Sequence, residues 1–136
     1  MNIIDSYKSI FTDYKAQAAR RGIEFNLTKE QAFKMFTANC YYCNDEPTNI
    51  KKYKRDPRQQ YKYQGIDRLD PLKGYTEDNT VPCCSVCNYA KRELSESQFL
   101  QQVSKIYNFK VQRSERELVG SSEPKWESPL QGGDMI

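Results

Sequence analysis

The sequence predicts a small α+β fold, with helices at both ends and short strands between them. Three observations carry that prediction. Apolar residues recur at helical spacing over residues 3–19 and again near 98–107. Strand-like runs occur only as short pieces in between. Two pairs of cysteines lie about forty residues apart and bracket those pieces. The chain has 136 residues, 38% hydrophobic and 29% charged, enough for one modest core. Ten Tyr and six Phe argue against wholesale disorder. No apolar run approaches the roughly 20 residues of a membrane span. Asp5, Lys8, Asp13 and Lys15 make residues 1–20 unlike a secretory signal. A cytoplasmic, reducing setting follows as the expectation. There are no histidines, so the chain offers no His general base, Ser-His-Asp triad, Cys-His pair or His ligand to a metal.

In the first segment, Tyr7, Ile10, Phe11, Tyr14 and Ala18 form one apolar helical stripe. Arg20, Arg21 and Gly22 make a cationic last turn and a stop. Ile23 to Leu27 alternates, as an extended segment does. Thr28 and Gln31 have capping-box spacing, so a second helix should run to about Ala38 and bury Ala32, Phe33 and Phe36. Residues 44–64 lack periodicity, contain Pro47 and Pro57, and read as a long loop or loose ribbon. Gly65 to Leu69 reads as a strand, and Asp70 to Tyr75 as a turn punctuated by Pro71 and Gly74. Asn79 to Val81 reads as a second strand stopped by Pro82. A helix should start near Ser85 and carry Asn88, Lys91 and Leu94. Ser95 and Gln98 suggest another capping box, opening a helix with Phe99, Leu100, Val103, Ile106 and Tyr107 on one face. The apolar rhythm ends near Gln112, and Pro, Gly and acidic residues suggest a flexible acidic tail over 113–136.

Cys40, Cys43, Cys84 and Cys87 form two Cys-x-x-Cys pairs, the spacing that presents four thiolates to one tetrahedral Zn²⁺. A disulfide framework fits less well, because the cysteines are odd in number and clustered. Cys83 in place of Cys84 would give Cys-x-x-x-Cys, which zinc also accepts. Over residues 51–64, Lys51, Lys52, Lys54, Arg55, Arg58 and Lys62 face a single carboxylate, Asp56, with Tyr53, Tyr61 and Tyr63 interleaved. The stretch reads either as a solvated basic loop or as a patch that contacts phosphates.

The order Gly65-Ile-Asp-Arg-Leu-Asp70, Gly74-Tyr75, Asp78-Asn79-Thr-Val-Pro82 and Cys84-Ser-Val-Cys87-Asn88-Tyr-Ala-Lys91 resembles the HNH endonucleases, in their zinc-bearing phage and bacterial branch. Arg21 to Thr28 resembles a stretch that precedes the first cysteine pair in that branch. The resemblance covers roughly residues 5–107. It implies a ββα-metal core over residues 40–94, a helical part over 1–38, a C-terminal helix over 95–110, and a single domain over 1–112. It implies Asp67 and Asn88 as ligands of a catalytic Mg²⁺ or Mn²⁺, which suits hard oxygen donors. It implies that the Asn79 amide holds the loop between the two strands in shape. Lys91, three residues after Asn88 on one helix face, is expected to meet a phosphate or to be a solvated lysine.

Arg68 stands where that family has its general-base His. A guanidinium stays protonated, so it cannot accept a proton from water near neutral pH. Arg68 either stabilises the scissile phosphate while metal-bound hydroxide or Asp70 activates water, or marks a slow site, or marks a site that only binds. The reading favoured is the first, in a metal-dependent endonuclease of DNA, with double-stranded DNA rather than RNA as the expected partner. The rivals are an inactive zinc-stapled nucleic-acid-binding module and a phage or host protein-interaction factor on the same scaffold. The sequence does not identify a protein partner.

Overall fold

The computed structural model describes residues 2–113; the tail expected beyond Arg113 lies outside the described residues. Helix α1 spans Ile3–Arg20. Its start is fixed by Asn2, whose Oδ1 accepts from the Asp5 amide at 2.9 Å. Its stripe buries Tyr7, Ile10, Phe11 and Ala18. Gly22, at φ 67°, turns the chain out of the helix. The Thr28 capping box is formed in both directions: the hydroxyl accepts from the Gln31 amide at 3.1 Å, and the Gln31 side chain accepts from the Thr28 amide at 2.9 Å. It opens α2, Lys29–Phe36, which buries Ala32 and Phe36. Those side chains join Leu27 and Ile66 on the α1 stripe as the main apolar core. Phe36 meets the Tyr7 ring at 5.5 Å.

The segment before α2 is extended. It pairs in parallel with Tyr75, whose amide donates to Glu24 O and whose carbonyl accepts from Asn26, both at 2.8 Å. This contact needs glycine at 74, because a Cβ there would stand 2.6 Å from the Glu24 Cβ.

Two antiparallel ribbons follow. In the first, β1 (Asn49–Tyr53) pairs with β2 (Asp56–Tyr63), so of the long loop or loose ribbon expected here the structure has the ribbon, as a regular hairpin turning at Lys54 and Arg55. Its alternation is hidden in the sequence because both faces carry polar residues. Tyr61, Tyr63 and Lys51 lie on the half-buried face, and Lys52, Gln60 and Lys62 on the exposed one. In the second ribbon, β3 (Gly65–Arg68) pairs with β4 (Thr80–Cys83), with Asp67 opposite Val81 and Ile66 opposite Pro82. Pro82 does not stop the strand: in a two-stranded ribbon each strand keeps one open edge, where a missing N–H costs nothing. Asn79 belongs to a 3₁₀ turn, Glu77–Asn79, rather than to the strand.

Helix α3 covers Ser85–Lys91. It ends there because Arg92 has φ 51°, which leaves Leu94 outside the helix and exposed. Helix α4 covers Glu96–Ile106 and continues as a π-helical turn, Tyr107–Val111. Phe99 is buried on it, while Leu100, Val103 and Ile106 are exposed. The chain divides into two units within α4, Met1–Ser97 and Gln98–Ile136. Everything that concerns chemistry below lies in the first.

Candidate functional site

The first cysteine pair sits on a knuckle after α2. Asn44 turns it at φ 65°, its amide donating to Cys40 O at 2.9 Å, and the Cys40 amide donates to Asp45 O at 2.8 Å. The Tyr41 amide ties the knuckle to β4 through Pro82 O at 2.8 Å. The second pair straddles the start of α3, where Cys84 Sγ accepts from the Cys87 amide at 3.3 Å. The sulfurs of Cys40, Cys43, Cys84 and Cys87 all lie within 4.8 Å of one another, and those of Cys43 and Cys84 are 3.6 Å apart. A tetrahedral ion with Zn–S bonds of about 2.3 Å needs sulfurs about 3.8 Å apart. The four thiols therefore fit a metal such as zinc. Burial pushes the Cys40 thiol up, but N–H groups of Cys43, Cys84 and Tyr42 outweigh it and bring its pKa down to about 6. Cys83 is fully buried, lies outside the cluster, and is held protonated by burial. Cys84, not Cys83, thus completes the set.

Beside this centre, β3 delivers Asp67 and Arg68 to a cavity of about 390 Å³ whose wall also includes Asn88, Tyr75, Lys51 and Arg92. Arg21 and Glu93 line it as well, as a loose pair at 3.9 Å. Asp67 is buried and its pKa is raised, because desolvation outweighs the lowering by Lys91 and Tyr42. Arg68 is half-buried. Its Nη1 donates to Pro71 O at 2.8 Å and to Lys73 O at 2.9 Å, and its guanidinium carbon lies 5.4 Å from the Tyr75 ring centre. One arm of the fork is thus committed to the β3–β4 turn. Asn79 is bound to the same turn three times: Oδ1 accepts from the Asp70 amide at 3.0 Å, and Nδ2 donates to Asp70 O at 3.1 Å and Gly74 O at 2.9 Å. Asp70 is outside the cavity wall, with Oδ1 accepting from the Leu72 amide at 2.9 Å. Asn88 is exposed on α3 and faces the cavity.

Lys91 corrects the expectation of a lysine available to phosphate. It has no exposed surface, and its Nζ is 3.2 Å from Asp67 Oδ2, 3.4 Å from Oδ1 and 2.9 Å from Arg68 O. The basic stretch is divided by the hairpin. Lys51 faces the cavity and pairs with Asp13 at 3.3 Å. Lys52 and Lys62 point outward, Lys54 and Arg55 occupy the exposed turn, and Arg58 is exposed, with Nε 3.1 Å from its neighbour Asp56. Sequence reasoning missed Tyr42, whose hydroxyl donates to Asp67 Oδ2 at 3.2 Å. It also missed the place of Arg21 and Arg92 on the cavity wall. The positive φ of Arg92 has no marker in a non-glycine residue.

Among the described residues, no helix is long and apolar enough to cross a membrane. No protein-family profile matches the chain. An uncharacterized protein of Acanthamoeba polyphaga mimivirus is 37% identical over 107 residues, which cover 76% of this chain and 18% of that protein. The chain thus spans under a fifth of that relative's length. Among solved structures, the rare-cutting HNH restriction endonuclease PacI aligns with 79% of this chain and 80% of its own, at a TM-score of 0.55 and 21% identity. At that identity the likeness is one of fold: the chain has mixed helices and small sheets arranged similarly to an HNH endonuclease.

Proposed function

We propose that the chain is a metal-dependent endonuclease of HNH type that hydrolyses phosphodiester bonds of DNA. The observation that supports this reading is the shared cavity: a carboxylate, a carboxamide and a guanidinium, from Asp67, Asn88 and Arg68, line one space beside a four-thiolate centre. In this reading Cys40, Cys43, Cys84 and Cys87 hold Zn²⁺, which joins the knuckle to α3 and stabilises a small core. The oxygens of Asp67 and Asn88 suit Mg²⁺ or Mn²⁺. When bound, that ion supplies positive charge against the charge that develops on a phosphate under attack.

The protein's own groups do the rest. Arg68 contributes a second positive contact to the phosphate through the part of its fork not bound to the turn. It cannot serve as the base. Asn79 keeps the turn in shape and so fixes the aim of Arg68. Asp70 serves the turn as well, with one oxygen already engaged there. Lys51, Lys52, Lys54, Arg55, Arg58 and Lys62 hold the DNA backbone, in a binding that weakens steeply with salt.

Supercoiled plasmid incubated with Mg²⁺ or Mn²⁺ tests the reading. Nicking or linearisation is expected, and Asp67→Ala is expected to abolish it while keeping the zinc. Salt-sensitive DNA binding without cleavage in either metal would leave a nucleic-acid-binding module. Cutting by Asp67→Ala at the unsubstituted rate would defeat the assignment of that carboxylate.

A further inference from the structure

A lysine with no exposed surface must find acceptors for three N–H donors inside the protein. Lys91, in the last turn of α3, donates to Asp67 Oδ1 at 3.4 Å and to the carbonyl of Arg68 at 2.9 Å, with Oδ2 at ion-pair distance, 3.2 Å. Tyr42 reaches the same carboxylate from the knuckle, at 3.2 Å from Oδ2. Lys91 Nζ donates to Oδ1 at 3.4 Å and stands 3.2 Å from Oδ2, which accepts from Tyr42, so each carboxylate oxygen has one donor. Asp67 lines the cavity; Lys91 and Tyr42 do not. Both donors therefore stand behind the carboxylate. A buried ion pair is a poor way to gain stability, since apolar residues of similar volume often do as well. Its presence under the cavity argues that the carboxylate must be kept there, charged and in one orientation.

We propose that Lys91 and Tyr42 are positioning residues that clamp the Asp67 carboxylate from behind and so present it to the cavity as a ligand of the catalytic cation. Tyr42 lies between Cys40 and Cys43, so the knuckle that binds one metal also sets a ligand of the other. The inference rests on the reading of Asp67 as a metal ligand.

The test is Mn²⁺ binding to the full chain with its thiolate metal in place, followed by electron paramagnetic resonance of free Mn²⁺, with no substrate present. The deciding variant is Tyr42→Phe, which keeps the ring and removes the hydroxyl that donates to Asp67. It is expected to retain its zinc and its melting temperature while binding Mn²⁺ about five- to tenfold more weakly. Asp67→Ala, as the reference, is expected to lose the site. Lys91→Met should weaken Mn²⁺ binding further; if it does not fold, Tyr42→Phe decides alone. Equal Mn²⁺ affinity in Tyr42→Phe and the unsubstituted chain overturns the clamp while the metal reading stands. Absence of Mn²⁺ binding by the unsubstituted chain overturns the metal reading of Asp67, and the positioning role with it.

Discussion

The two ribbons of this fold differ in opposite directions. The β1–β2 hairpin has strands of five and eight residues, none of them fully buried. The β3–β4 ribbon has four residues in each strand, and three of the four are buried on both. The longer ladder holds cations in water, where each is loosely coupled to its neighbours. The shorter one holds Asp67 out of water, where its charge has to be matched by a buried ammonium. Ladder length therefore says little about which ribbon the fold depends on. Burial decides that, and burial is also what makes a charge in β3 chemically constrained.

The sharpest way to break the short ribbon is through the thiolates beside it. Cys40, Cys83 and Cys84, with Tyr42 and Cys87 packed against them, form a small cluster, which in the proposed reading is completed by zinc. Structural zinc is worth about 10–16 kcal/mol in small peptides, against about 5–15 kcal/mol for the whole stability of a domain. Cys84→Ser is therefore expected to abolish the cooperative thermal transition seen by circular dichroism, and a strong chelator to do the same to the unsubstituted chain. A cooperative melt within a few degrees of normal after metal removal would show that the ribbon stands by itself.

Next in size is Lys91→Met. It leaves the Asp67 carboxylate buried without its cation, which typically costs about 3–5 kcal/mol. Lys52→Met on the exposed face of the hairpin should stay within about 0.5 kcal/mol. Urea denaturation measures both. Equal effects would erase the contrast between the ribbons.

That contrast also explains which parts were legible in the sequence. The α1 stripe, the Thr28 capping box and the cysteine pairs are local patterns, fixed by spacing along a few turns, and the structure shows each of them. The hairpin was legible only as one of two readings, loop or loose ribbon, because Tyr and Lys alternate on it without an apolar face. Lys91 was illegible for a different reason. Its neighbours are polar, and its burial is set by Asp67, 24 residues earlier, once β3 and α3 have packed. The cavity is the extreme case: Arg21, Lys51, Asp67 and Arg92 reach it from four separate parts of the chain. Motif order found Asp67, Arg68 and Asn88 but could not say which charges surround them.

A smaller effect is expected from Tyr14, on α1, whose hydroxyl accepts from the Ile66 amide of β3 at 3.0 Å. Burial raises its pKa from 10.0 to about 12, against a smaller lowering by the Ile66 N–H. The folded chain keeps the phenol protonated where the unfolded chain has begun to lose the proton. Stability from this group is thus fully present below pH about 10 and is lost between about 10 and 12, by about 3 kcal/mol in all. Tyr14→Phe should flatten that part of the stability–pH profile, and a profile parallel to the unsubstituted one would contradict the burial of the hydroxyl.

The smallest change in stability is expected from charge reversal on the outward face of the hairpin. Lys52 and Lys62 share that face as diagonal neighbours, since Lys52 is opposite Gln60 and Lys62 opposite Ile50. Lys52→Glu with Lys62→Glu should change the unfolding free energy by no more than about 0.5 kcal/mol, because neither side chain supports the core. If this face lies on DNA, affinity should fall, and the slope of log K against log salt should become shallower by about 0.9 for each phosphate that is no longer neutralised. A lower affinity with an unchanged slope would mean that the new carboxylates only repel at a distance. No change in either would assign DNA binding to the inward face, where Lys51 stands on the cavity wall. In both of those cases the long ribbon would be a support for the short one, with its outward cations serving solubility alone.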